Sequence, residues 1–253
     1  MLIVTTLIVA LATLVAAQGE TSPSNSARGK IQVRVTAAAM SPDRNSVHTG
    51  AAPKYCTPCL SYEGDFDPNN PNANALLSGK TKSGDSQVYA EFNVPNGKTW
   101  TVTGAFVNDL STAKRLNPVA TPWSISTGVF VGYGGTTVCS GTDNATFTPT
   151  GRTGFGYKEY TVQIKKFQQA CQLTAGQYWL MIQPQDTHAS FFYQTDVEDT
   201  PPRHHFGPKG TLDDSFWTSK TFGANYQATW GTNGACGSRG CDQFSDGLTG
   251  TQK

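Results

Sequence analysis

Residues 87–94, Gln-Val-Tyr-Ala-Glu-Phe-Asn-Val, alternate apolar and polar side chains over the length of a strand. Val88, Ala90, Phe92 and Val94 fall on one side and Tyr89, Glu91 and Asn93 on the other, the two-residue period of a half-buried β-strand. Pro95-Asn96-Gly97 comes next, and a glycine there accepts the positive φ of a tight reversal. From Thr99 to Val107 the alternation resumes, with Trp100, Val102 and Phe106 against Thr99, Thr101 and Thr103. The spacing predicts a hairpin, and with it a β protein.

The same pattern recurs outward from this stretch. Trp123-Ser124-Ile125-Ser126 leads through Val129 and Val131 to Gly132-Tyr133-Gly134-Gly135, and residues 136–139 return. Further strands are expected over Tyr157–Lys165, with Tyr160, Val162 and Ile164 in register, over Gln177–Gln183 and over Ser190–Gln194. Composition agrees: 26 glycines and 14 prolines break long helices, and threonine is restrained at its first side-chain torsion. Short strands joined by turns, with no helical segments and no fixed repeat, predict an all-β, antiparallel β-sandwich, jelly-roll-like and braced by disulfides.

Residues 1–17 are apolar apart from three threonines and end Val15-Ala16-Ala17, which fits a cleaved signal peptide. Residues 18–60 then form a mobile N-terminal segment with an edge strand at Ile31–Val35, and residues 61–253 a single sandwich domain. A long surface loop is expected over Asp196–Gly210. No second long apolar run exists, so no membrane span is expected. A formal charge of +1 with 15% charged residues offers no basic face for a phosphate backbone, so nucleic acid is not an expected partner.

Six cysteines in an exported chain, Cys56, Cys59, Cys139, Cys171, Cys236 and Cys241, allow three disulfides in fifteen pairings. Proximity suggests Cys236 with Cys241; Cys139 and Cys171 sit near strand ends and can join strands, and Cys56 and Cys59 can close a small ring. Cys56-Thr57-Pro58-Cys59 has the spacing of a thiol oxidoreductase, but no βαβ pattern surrounds it, which favours a structural bridge.

Among candidate sites, Asp65, Asp67 and Asn69 place oxygen ligands at alternate positions, as a calcium loop does, which makes calcium the one cofactor to consider; the competing reading is Asx-turn chemistry. His188, His204 and His205 lack metal-ligand spacing. Gly84-Asp85-Ser86 lacks a Gly-x-Ser-x-Gly elbow, so Ser86 with Asp186 and His188 reads as a decoy triad. Glu63, Glu91, Glu159, Asp213 and Asp214 are acids with nothing to single one out as catalytic. Tyr133, Trp217, Tyr226 and Trp230 are candidate ligand-binding rings, since flat aromatics stack on sugar faces, with a place in the core as the alternative. Asn144-Ala145-Thr146 is an acceptor sequon for N-glycosylation at Asn144.

The runs Tyr62-Glu63-Gly64-Asp65-Phe66-Asp67, Asn72-Ala73-Asn74-Ala75-Leu76, Val88 to Val94, Trp100 to Phe106, Trp123 to Gly128, Pro149 to Gly156 and Gly176 to Leu180 resemble a module of exported bacterial proteins of the PEP-CTERM type. The likeness covers about residues 62–248, and the sorting tail of that family is lacking. It implies a secreted β-sandwich and supplies no catalytic residues. The expected role is extracellular binding, with a glycan or a cell-surface component as partner; a secreted carbohydrate-active hydrolase and a structural matrix protein are the alternatives.

Overall fold

The computed structural model describes residues 56, 59–69, 75–81, 84–127, 136–188, 190–198, 215–222, 224–228 and 242–253. The expected signal peptide, the edge strand at 31–35, the turn at 132–135 and most of the loop over 196–210 fall outside these residues. Every regular element among the described residues is a β-strand, and all the pairings are antiparallel. They are β1 (Cys59–Tyr62), β2 (Ala75–Leu77), β3 (Lys80–Thr81), β4 (Gly84–Ser111), β5 (Ala120–Thr127), β6 (Thr136–Asn144) and β7 (Thr146–Gly154). After these come β8 (Tyr157–Ile164), β9 (Cys171–Ile182), β10 (Phe192–Glu198), β11 (Phe216–Ser219), β12 (Ala224–Ala228), β13 (Asp242–Phe244) and β14 (Asp246–Gln252). No helix among them is long and apolar enough to cross a membrane.

The hairpin expected at Pro95-Asn96-Gly97 is not formed. Both flanking segments belong to the 28-residue β4 and run antiparallel to the same partner, β9: Ala90 to Val94 pair with Leu180 to Gly176, and Thr99 to Val102 with Thr174 to Cys171. Pro95, Asn96, Gly97 and Lys98 are exposed and stand opposite Ala175 alone, as a large bulge. Gly97 does take φ 75°, so the local reading of the glycine holds. The reversal is overridden because folding β4 back on itself would break its ladder with β9.

The sheet closes over its own inner face. Order β1-β14-β4-β9-β5-β6 makes one continuous path, with β8 and β7 branching from β4 and β10 continuing the β14 side of β4. Cys139 on β6 lies opposite Ile125 on β5, which lies opposite Leu180 on β9. Cys171 is nine residues from Leu180 along β9, about 30 Å if that strand were straight. Yet Cys139 and Cys171 are disulfide-bonded with Cα atoms 5.9 Å apart. The bridge therefore joins two layers of a sandwich through which β4 and β9 both run.

Between the layers lies the main core. Phe92, Val94, Trp100, Val102, Ala105 and Val107 of β4 meet Trp123 and Ile125 of β5, Val162 and Ile164 of β8, Leu180 and Ile182 of β9 and Leu248 of β14. Trp123 stacks on Phe167 at 3.6 Å between ring centres, while its indole N–H donates to Asp143 at 2.7 Å. Gly141 makes room for that indole, since a Cβ there would come within 2.9 Å of Nε1. A second cluster joins Leu76, Leu77, Val88, Ala90, Trp217 and Phe244. Val88, Ala90, Phe92 and Val94 are all buried, as the alternation requires; Tyr89 and Glu91 are buried too, so both faces of β4 are covered there.

A tight hairpin does form at β7–β8. Gly154 pairs with Tyr157 across the two-residue turn Phe155-Gly156, whose φ angles of 51° and 83° are both positive. Two positive φ values match the right-handed twist of the flanking strands. Gly154 itself has to be small, because a Cβ would sit 2.5 Å from the Phe66 ring.

Candidate functional site

Three rings line up on the outer face of the second layer. Along β8, Val162 and Ile164 enter the core, so Tyr157, Glu159 and Thr161 project from the opposite side. Along the start of β10, Phe192 is fully buried, which sends Phe191 and Tyr193 to that same outer side. Leu110 of β4 connects the two strands, paired with Glu159 on one flank and Tyr193 on the other. Phe191 and Tyr193 have ring centres 6.2 Å apart at 13°, and Tyr193 and Tyr157 6.1 Å apart at 17°.

The row is exposed at one end and braced at its base. Phe191 is 36% exposed, while Tyr193 and Tyr157 are half-buried. The Phe191 backbone N–H donates to Thr112 Oγ1 at 3.1 Å, and the Thr112 N–H donates back to the Phe191 carbonyl at 3.2 Å. Tyr193 packs against the second core cluster. Burial, and then the neighbouring Tyr157, push the Tyr193 phenol up, so it stays a protonated donor at neutral pH.

Next to the row, a buried ionic network fixes the β7–β8 hairpin. Glu159 is fully buried; it accepts from Arg152 Nε, from Thr150 Oγ1 at 2.7 Å and from Thr195 Oγ1 at 3.2 Å. Burial pushes the Glu159 carboxyl up, and Arg152, Thr150 and Thr195 each pull it part of the way back. Burial disfavours the Arg152 charge, but Glu159 and Asp65 more than reverse that and hold the guanidinium above its ordinary value. The second Arg152 arm reaches Asp65 at 2.9 Å, and Tyr62 donates its phenol O–H to the same carboxylate. Residues 59–69 are thereby strapped across the face, with Phe66 buried against Gly154.

This arrangement answers the calcium expectation. Asp65 is engaged by Arg152 and Tyr62, while Asp67 Oδ1 accepts from the Asn69 backbone at 2.9 Å and from its amide at 3.2 Å. The three side chains form an ion pair and an Asx turn instead of converging on one point. No group of three or more His, Cys, Asp or Glu placed to hold a metal occurs among the described residues.

Trp217 is a correction: it is 1% exposed in the second core cluster and its indole N–H donates to the Leu77 carbonyl at 2.8 Å, so it is not a surface platform. Pairing of β11 with β4 takes it inside, with Trp217 opposite Val88. Tyr226 lies on β12, but its side chain is outside the described residues, as are Tyr133, Trp230, Cys236, Cys241, His204 and His205. Cys56–Cys59 and Cys139–Cys171 are the two described disulfides. Asn144 is exposed where β6 passes through Ala145 into β7. Ser86 is fully buried and shares a hydrogen bond of 2.6 Å with Ser219, which removes it as a nucleophile. Asp186 instead holds its own loop, accepting from the Ser190 N–H and hydroxyl, each at 2.8 Å.

Sequence reasoning passed over Phe191, Tyr193 and Tyr157. The signal was present: Phe191-Phe192-Tyr193 in a strand sends its first and third rings to one face, and Tyr157 has the parity opposite to Val162 and Ile164.

The chain matches no family model, no curated protein and no solved structure.

Proposed function

We propose that the protein is a secreted, non-catalytic glycan-binding protein whose platform is the row Phe191–Tyr193–Tyr157. The observation that carries this reading is the row itself: three neighbouring rings within 17° of parallel on the outer face of a sheet, the outermost 36% exposed. Flat rings match the apolar faces of pyranoses, and two of the three keep a phenol for a hydrogen bond at their edge. The rings stand on paired strands beside a buried ionic network, so little ordering entropy is lost on binding. Two disulfides suit an oxidising compartment, and so does the leader read from residues 1–17. The resemblance to an exported bacterial sandwich module points the same way.

The test is retention of the full chain on a panel of insoluble and gel-embedded polysaccharides, with reducing ends assayed in parallel. Retention without new reducing ends is expected, and Phe191→Ala should weaken it about tenfold. New reducing ends in proportion to protein would overturn the non-catalytic reading. Retention unchanged in both Phe191→Ala and Tyr157→Ala would remove the row from the site.

A further inference from the structure

Exposed cations lie beside the Phe191 end of the row. Segment 112–118 lies along segment 185–191: beyond the Thr112–Phe191 contacts, the Asn117 amide donates to Thr187 Oγ1 at 2.9 Å, the Thr187 N–H to the Asn117 carbonyl at 3.0 Å, and Pro118 bridges Asp186. Lys114 and Arg115 occupy the bend of the first segment, two and three residues beyond Thr112, and both are exposed. Neither makes an ion pair among the described residues.

Acids on the same segments do not offset these cations. Residues 110–119, 155–160 and 184–193 contain two, Glu159 and Asp186, and the side chains of both are fully enclosed. Glu159 is neutralised by Arg152. Asp186 is held by Ser190, by the His188 N–H at 3.2 Å and, when protonated, by the exposed His188 ring at 3.6 Å. A chain whose formal charge is only +1 thus places two adjacent cations, unpaired among the described residues, beside the exposed end of its aromatic row.

We infer that the row takes an anionic polysaccharide, with sugar faces stacked on Phe191, Tyr193 and Tyr157 and carboxylate or sulfate groups directed to Lys114 and Arg115. This rests on the glycan-binding reading above and narrows its ligand class by charge complementarity. Rings supply contact that salt does not weaken, while exposed cations supply a contribution that falls as the screening length shortens.

Affinity electrophoresis of the full chain through gels containing polygalacturonate, dextran sulfate or a neutral β-glucan tests it. Retardation is expected in one or both polyanion gels, the two arms distinguishing carboxylate from sulfate, and should exceed that in the neutral gel. Raising salt from about 0.01 M to about 1 M, which shortens screening from about 30 Å to about 3 Å, should remove most of the excess. Lys114→Gln with Arg115→Gln should weaken polyanion binding roughly three- to tenfold, and both sites are exposed enough to leave the fold intact. Equal, salt-insensitive retardation in the neutral gel, lost in Phe191→Ala, would overturn the anionic class and leave glycan binding standing. No retardation in any gel would overturn both. Polyanion binding unchanged by the double glutamine variant would also overturn the inference.

Discussion

Pro95-Asn96-Gly97 and Phe155-Gly156 both carry a glycine at positive φ, and only the second turns the chain. Gly97 at φ 75° sits in an exposed bulge, whereas Phe155 at 51° and Gly156 at 83° close the β7–β8 hairpin. The difference lies beyond the turns. Residues on either side of the bulge continue onto one strand, β9. Residues on either side of Phe155-Gly156 pair with each other and are joined by Arg152, Thr150 and Glu159, which tie the hairpin to Asp65 in the strap and Thr195 on β10. Local turn chemistry sets the angle; long-range partners decide what the angle is used for.

The largest way to break this contrast is to remove the cation on the hairpin side. Arg152→Ala leaves Glu159 fully buried without its counter-ion, an outcome that costs about 3–5 kcal/mol for buried pairs. Urea unfolding followed by tryptophan fluorescence should show the unfolding free energy fall by that amount at neutral pH. Acidifying should recover part of the loss, because protonation removes the unpaired charge. A variant as stable as the parent would mean that the network does not hold the hairpin.

A second test uses acids near the hairpin. Asp109 of β4 is fully buried, accepts a hydrogen bond from Ser78 and has no second partner among the described residues. Burial pushes its carboxyl up to about 7, with Glu159 adding to the rise. Asp246 of β14 is buried with neither oxygen hydrogen-bonded among the described residues, and burial, with Glu63 nearby, pushes it well above the usual carboxylate range. Both groups have folded pKa values above their unfolded ones. Their contribution is therefore fully present below about pH 4 and is lost as pH rises through about 7 for Asp109, as much as about 4 kcal/mol for that group. The melting temperature should be highest in mild acid and fall toward pH 8, with a shallower fall in Asp109→Asn. A melting temperature that rises from pH 5 to 8 would refute this.

How far the fold was legible follows from the same contrast. Val88 to Val94 alternate because an apolar core lies on one side, and periodicity reports that directly. The Cys139–Cys171 pair was legible as two strand ends able to meet. β7, with Pro149, Gly151 and exposed threonines, has no apolar face to signal it; β8 and the Glu159 network make it a strand. Trp217 stayed open between a binding ring and a core ring because β11 has four residues, too few for periodicity, and its pairing with β4 takes it inside. In the candidate site, the parity of Phe191, Tyr193 and Tyr157 was readable, but their adjacency was not, since Leu110 of a third strand brings them together.

The smallest expected effect belongs to the bulge. A Cβ at Gly97 meets nothing within 4 Å, so Gly97→Ala is opposed only by its positive φ, worth about 1 kcal/mol. At Gly154, beside the hairpin turn, φ is not positive but a Cβ would lie 2.5 Å from the Phe66 ring, which is itself buried. Gly154→Ala must therefore displace Phe66 and loosen the strap, an overpacking cost of typically about 1–3 kcal/mol. Unfolding midpoints of the two alanine variants should rank Gly97→Ala above Gly154→Ala, and limited proteolysis should find new cuts near residues 59–69 only in the second. The reverse order would mean that the turn angle, rather than the packing around the hairpin, limits the stability of these reversals.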